Sequence, residues 1–203
     1  MEIVLSNVGK RFNREWIFRH VEYQFVPGQK YAITGANGSG KSTLLQVIAG
    51  SLTYNEGNIS FTSKGNPIAA DQFYQSLAIA APYLELIEEM TALEMLDFHQ
   101  QFKKLVLPAV EILKIVGLEK AVHKQIRYFS SGMKQRLKMA QAFFSDTPVL
   151  FLDEPTANLD EEGIALYHLL IRNYTKDRLV IISSNDKQEY DFCDEVIAIG
   201  AYK

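Results

Sequence analysis

Two short stretches of the chain carry residue types whose order has a chemical reading. Gly35-Ala36-Asn37-Gly38-Ser39-Gly40-Lys41-Ser42-Thr43 is a loop punctuated by glycine and closed by a lysine and two hydroxyls. Where side chains are absent or small, successive backbone N–H groups can turn inward on a phosphate. A helix beginning at the loop's end adds unpaired amides and the positive end of its dipole. Lys41 then supplies a point charge for β- and γ-phosphates, and the Ser42 hydroxyl is placed to ligate Mg²⁺. The stretch reads as a cradle for a nucleoside triphosphate, with each residue from Gly35 to Thr43 a candidate contact. The second stretch is Asp153-Glu154, two carboxylates directly after the apolar run Val149-Leu150-Phe151-Leu152. That position is the C-terminal end of a buried strand, where open α/β sheets put their ligands. Asp153 is suited to hold Mg²⁺ together with Ser42. Glu154 is suited to polarise an attacking water, a role worth ~10²- to 10⁴-fold.

The elements that must position these groups follow from the hydrophobic pattern. Ile3 and Leu5, then Val21, Tyr23 and Phe25 before Pro27-Gly28, alternate as antiparallel strands do and lead into the strand Tyr31-Ala32-Ile33-Thr34. Asn58-Ile59-Ser60-Phe61 predicts another strand of this β-lobe, closing before a Gly65-Asn66-Pro67 turn. From Thr91 the period becomes helical, with Thr91 and Glu94 spaced as a capping box, and Leu93, Leu96, Phe98 and Phe102 as the helix's own core. A second helix follows Pro108 through Val110, Ile112, Leu113 and Val116 to Gly117. Leu77-Ala78-Ile79-Ala80, Val149-Leu150-Phe151-Leu152 and Leu179-Val180-Ile181-Ile182 suit short strands, the last two buried in a parallel sheet. Asp186 and Glu189 offer another cap, and Val196-Ile197-Ala198-Ile199 a last strand. The fold class is α/β, with an N-terminal antiparallel β-lobe, a mainly parallel core sheet and a helical insert. The whole of 1–203 forms one domain, with the insert at about 84–140 between the halves of the phosphate site.

Composition narrows the partners. A net charge of −3 over 203 residues argues against a strongly basic nucleic-acid binder. The single Cys193 cannot form an internal disulfide, and Met1-Glu2-Ile3-Val4 does not begin a signal-type stretch, which together predict a cytosolic protein. No segment reaches the ~18 to 20 apolar residues that cross a bilayer, so a membrane role has to come through a partner.

Phe129-Ser130-Ser131-Gly132-Met133-Lys134-Gln135-Arg136 lies upstream of the carboxylate pair. Here the chain resembles the ATP-binding cassette (ABC) family, whose members carry Leu-Ser-Gly-Gly-Gln at this place. Ser130 and Gly132 agree with that pattern, while Phe129, Ser131 and Met133 depart from it. The resemblance implies that Ser130, Ser131, Gly132 and Met133 close over the phosphates of ATP held by the opposite subunit, in a head-to-tail dimer. Ala157-Asn158-Leu159-Asp160 resembles the family's D-loop, which makes Asp160 a contact across that dimer. Phe12 stands where members place an aromatic ring on adenine, with Trp16 as the competing candidate. The implied protein is the ATP-hydrolysing subunit of a transporter, of the small single-cassette kind seen in haem export for cytochrome c maturation. ATP and Mg²⁺ are its cofactors. It pairs with itself or a paralogue, sits at the inner face of the cell membrane, and drives a separate transmembrane permease that residues 83–102 contact. A nucleotide clamp with little or no hydrolysis, and a soluble ATPase outside transport, are the alternatives.

Two positions depart from the family. Asn185 stands where the switch histidine is expected, able to donate a hydrogen bond but not to carry a proton. The loop Ile79-Ala80-Ala81-Pro82-Tyr83-Leu84-Glu85 lacks the usual glutamine, and Gln72 and Gln75 precede it. Slow or conditional turnover is the expectation.

Overall fold

In the computed structural model, which describes residues 1–203, the alternation at the start of the chain becomes the hairpin of β1 (Glu2–Phe12) and β2 (Glu15–Phe25). Then come β3 (Lys30–Thr34), helix α1 (Lys41–Ile48), β4 (Glu56–Ser63), β5 (Asn66–Ile68) and β6 (Leu77–Ala80). Helices α2 (Ala92–His99), α3 (Ala109–Ile115) and α4 (Ser131–Phe143) separate β6 from β7 (Val149–Asp153). The chain ends with α5 (Glu161–Tyr174), β8 (Leu179–Ser183), β9 (Glu195–Ala198) and a 3₁₀ turn at Ile199–Tyr202. Two sheets result: an antiparallel one ordered β2-β1-β4-β5, and a parallel one ordered β6-β7-β8-β3-β9.

Every residue of β7 and β8 is buried, as continuous apolar strands covered on both faces must be. Their side chains divide the core by alternation. Leu150, Leu152, Val180 and Ile182 face α2 to α5, while Val149, Phe151, Leu179 and Ile181 face α1 and the antiparallel sheet. This packing fixes the strand ends in register. Asp153 pairs with Ser183, and Ser183 with Ile33, so the loops leaving β3, β7 and β8 emerge side by side.

The helix signals hold. Thr91 Oγ1 accepts from the Glu94 amide at 3.2 Å and Glu94 Oε2 accepts from the Thr91 amide at 2.8 Å, closing the capping box. Thr91→Ala should cost about 1 kcal/mol and lower the melting temperature by about 3 °C, read by thermal unfolding. Gly117, at φ +71°, ends α3 and lets the Leu118 amide reach Leu113 O at 2.7 Å.

Three expectations are corrected. The turn after β4 is Lys64-Gly65, both at positive φ, while Asn66 and Pro67 begin the edge strand β5, the place where a strand tolerates proline. Phe98 and Phe102 are 41% and 72% exposed and meet edge to face at 5.1 Å, outside the core that Leu96, Ile112, Leu113 and Val116 form. Asp186 does cap, accepting from the Gln188 amide at 3.0 Å, but Glu189 turns inward. There its carboxylate accepts from the Thr156 amide at 2.7 Å, because a three-residue 3₁₀ turn has no room for a reciprocal cap.

Candidate functional site

β3 stops at Thr34, and the loop that follows bends through Gly38 (φ +75°) and Gly40 (φ +104°) into α1. A β-carbon on Gly40 would lie 2.5 Å from Cγ2 of Ile17, so β2 presses directly on the loop. The Lys41 side chain is buried, its Nζ donating to Gly35 O at 2.9 Å and Ala36 O at 3.3 Å, which wraps the loop around the charge. The start of α1 has no side-chain cap and no acid in its first turn, leaving its first amides free for an anion. A cavity of about 200 Å³ opens here, lined by Ile17, residues 37–43 and Glu154.

Asp153, the last residue of β7, is fully buried, and its Oδ1 has no hydrogen-bond partner. Burial pushes its carboxyl above the usual range. The hydroxyls of Ser183 and Ser42 pull it back, Glu154 raises it and Lys41 lowers it. The Ser183 hydroxyl is likewise without a closed hydrogen bond. An orphaned carboxylate oxygen with the Ser42 hydroxyl alongside is a pair of hard oxygens that fits Mg²⁺. No cluster of three or more acidic, histidine or cysteine side chains that could hold a metal ion is present. Glu154 has φ +44°, a left-handed conformation that costs a non-glycine residue energy and marks a constrained position. Its amide donates to Ser183 O at 2.9 Å. The next residues are held by Glu189 at Thr156, and by Gln135 Nε2, which donates to Pro155 O at 2.8 Å.

A second group gathers elsewhere. Ser130 caps α4 by accepting from the Met133 amide at 3.2 Å, and Ser131, Gly132, Met133, Asn158 and Asp160 line one cavity of about 430 Å³. A β-carbon on Gly132 would lie 3.1 Å from Asn158 O, so the start of α4 and the 157–160 segment pack closely. Asp160 accepts from the Gly163 amide at 2.9 Å and from Arg136 Nη2 at 3.0 Å, and the Gly163 amide first, then Arg136, holds its carboxyl below the usual range. This cavity shares no lining residue with the phosphate-loop cavity. Residues 18–157, spanning the loop, the start of α4 and the Asp153-Glu154 pair, match the family model described as "ABC transporter". The chain belongs to this family.

It is similar to an uncharacterized ABC transporter ATP-binding protein, YybJ, of Bacillus subtilis (strain 168), 32% identical over 95% of this chain and 89% of the relative. It is 30% identical to a cytochrome c biogenesis ATP-binding export protein, CcmA, of Rhizobium etli, over 91% of this chain and 87% of that one. Among solved structures, a dimeric ATP-binding cassette in a post-hydrolysis state, bound to ADP and Pi, superposes with a TM-score of 0.81 at 24% identity. That match covers 98% of this chain and 95% of the other. The fold is that of an ABC ATPase, and its members bind ATP and are generally ATPases.

Within the cassette, Phe12 sits at the exposed end of β1, 48% accessible, with Lys10 Nζ 4.9 Å from its ring centroid. The register pairs Phe12 with Glu15, Arg11 with Trp16 and Lys10 with Phe18, so Ile17 falls at the bulge between the last two pairs. Trp16 is flanked by the guanidiniums of Arg11 and Arg19 at 5.5 and 4.5 Å. Those contacts account for Trp16. Asn185 is exposed, two residues beyond Ser183, and does not line the phosphate cavity. Ile17 was missed in the sequence. No local signal marks it, because only the irregular hairpin register and the fold of the loop bring it against Gly40.

Proposed function

We propose that this cassette binds Mg·ATP at residues 35–43 and hydrolyses it between two copies, or between this chain and a paralogue, to drive a separate transmembrane permease. The observation that carries this reading is the division of the motif residues into two cavities on one chain. One has the loop amides, Lys41, Ser42 and Glu154, with Asp153 buried just before Glu154, and the other has the hydroxyls and amides of 130–133 with Asp160. Each holds half of what an ATP sandwich needs. Lys41 and the α1 amides bind phosphate, Ser42 and Asp153 hold Mg²⁺, and Phe12 stacks on the base. Mg²⁺, when bound, neutralises charge on the phosphates. Glu154 accepts a hydrogen bond from the attacking water and takes up its proton, and Asn185 donates to phosphate once the partner chain closes the site. Closure is driven because ATP makes contacts to both halves only in the closed dimer, a differential affinity that shifts the population.

Residues 84–140 are the insert that carries the second half-site towards its partner. No helix is long and apolar enough to cross a membrane, so attachment to the inner face of the cell membrane comes through the permease. The exposed Tyr83, Ile87, Phe98 and Phe102 support residues 83–102 as its docking side. Ser131→Arg tests the sandwich. With Mg·ATP, a hydrolysis-blocked cassette should dimerise in light scattering, and Ser131→Arg in that background should stay monomeric while still binding ATP. A monomer in both would overturn the shared site.

The clamp reading rests on Asn185, which lies outside the phosphate cavity and cannot relay a proton. Measured phosphate release decides between the two.

A further inference from the structure

The strained residue of the candidate site is held by side chains that the proposed chemistry does not use. Glu154 lines the phosphate-loop cavity with φ at +44°. A glutamate does not choose that conformation by itself, so its neighbours have to impose it. Its amide donates to Ser183 O at 2.9 Å, which anchors it to β8. The two residues after it are anchored to other elements.

Glu189 supplies one of these anchors. It is 3% exposed and takes part in none of the chain's ion pairs, so hydrogen-bond donors have to satisfy it. One of its oxygens, Oε1, accepts from the Thr156 amide at 2.7 Å and also from the Thr156 hydroxyl. Its own carbonyl accepts from the Tyr167 hydroxyl at 2.6 Å, so Glu189 is itself fastened to α5. Gln135, 4% exposed on α4, supplies the other anchor, its Nε2 donating to Pro155 O at 2.8 Å. Proline has no amide hydrogen, so that carbonyl is the only backbone group by which residue 155 can be bound.

We propose that Glu189 and Gln135 are positioning residues for Glu154. With the amide before its α-carbon fixed by β8, and the groups after it fixed by α4 and by the turn at Lys187–Glu189, φ cannot relax without breaking one of those bonds. The direction of the Cα–Cβ bond is fixed with it, and so is the approach of the carboxylate to the cavity. Neither Glu189 nor Gln135 lines that cavity, so both act through the backbone of 154–156. The inference rests on the proposed role of Glu154 as the base and extends it to side chains outside the site.

The test uses the full chain in two measurements. In nucleotide-free protein, the Glu154 and Ala157 amides of Glu189→Leu should exchange with solvent about 10-fold faster than in wild type, the factor that one hydrogen bond carries. The Phe151 and Ile181 amides, inside β7 and β8, should keep wild-type protection. With Mg·ATP, kcat should fall about 10- to 100-fold at unchanged KM, as for a displaced reacting group. Glu189→Gln keeps an oxygen acceptor and should restore most of both, while Gln135→Leu should resemble Glu189→Leu. Thr156→Val removes only the hydroxyl and carries the same test if Glu189→Leu does not fold. Wild-type kcat in the leucine variants, unchanged exchange at 154 and 157, a raised KM in place of a lowered kcat, or a Glu189→Gln as impaired as Glu189→Leu would overturn the inference and leave the role of Glu154 standing. A wild-type chain that hydrolyses ATP no faster than Glu154→Gln would overturn both.

Discussion

Glu154→Gln should bind Mg·ATP as tightly as the parent and hydrolyse it about 10²- to 10⁴-fold more slowly, the range for removing a positioned general base. The substitution keeps size and hydrogen-bonding reach but removes the proton acceptor. Its surroundings should not collapse, because the backbone there is held from outside the side chain. The residue's amide is bound to Ser183 O, and the next two residues are bound to Gln135 and Glu189. Glutamine meets the same φ of +44° at the same cost as glutamate, so fold stability should be unchanged. The loss of negative charge also removes one influence that raises the Asp153 carboxyl, which favours the metal-ready ionised form. The variant should therefore accumulate as an ATP-bound dimer. Phosphate release compared between wild type and variant is the measurement. Equal background rates in the two would give the protein to the clamp reading.

The parts of the site that are legible in the sequence are those whose requirement is local. A phosphate loop needs glycines, a lysine and a hydroxyl at fixed spacing between a strand and a helix, and residues 35–43 display all of it without any tertiary information. β7 and β8 are equally legible because a strand buried on both faces has no polar alternation to confuse it. What escapes is whatever depends on which face of an element meets which neighbour. Phe98 and Phe102 have the spacing of a core stripe, yet α2 ends at His99 and both rings turn to solvent, while Leu96 on the same helix is fully enclosed. Glu189 looks like a cap from its distance to Asp186, and only the packing of α5 and the 154–156 segment reveals it as an inward ligand for Thr156. Ile17 reaches the phosphate loop from a strand distant in the chain, so no window of sequence brings it beside Gly40. The same reasoning explains why the sequence does not show that Trp16 lies between the guanidiniums of Arg11 and Arg19, which takes the hairpin register to bring about.

Asp153→Asn should separate stability from function. Asp153 lies at the buried end of β7 with Oδ1 unpartnered, and desolvation is the largest influence on its carboxyl, outweighing the help from Ser183, Ser42 and Lys41. A group whose pKa is raised by folding supports the fold most below its unfolded pKa, ordinarily near 3.8 for aspartate, and that support is lost as pH rises through the folded value. At neutral pH the ionised, metal-free carboxylate therefore weighs against the native state. Asparagine removes the charge, leaves a neutral amide, and forgoes only the weakest of the named influences, the attraction of Lys41. The metal-free variant should be about 1 kcal/mol more stable than wild type, from the cost of a buried unsatisfied charged group, or about 3 °C in melting temperature. The difference should shrink as pH is lowered through the Asp153 titration, because wild type then neutralises itself. The same variant should lose the Mg²⁺-dependent gain in ATP affinity and at least about 10²-fold in turnover, since Ser42 alone is a poor anchor for a cation that prefers carboxylate and phosphate oxygens. Adding Mg·ATP should raise the melting temperature of wild type by binding to the native state only, and raise that of Asp153→Asn far less. Melting curves at pH 4, 5.5 and 7.5, with and without Mg·ATP, read both effects. A variant no more stable than wild type at pH 7.5 would mean that the buried carboxylate already has a partner that balances its charge, and the assignment of Asp153 as a site kept open for a cation would fall.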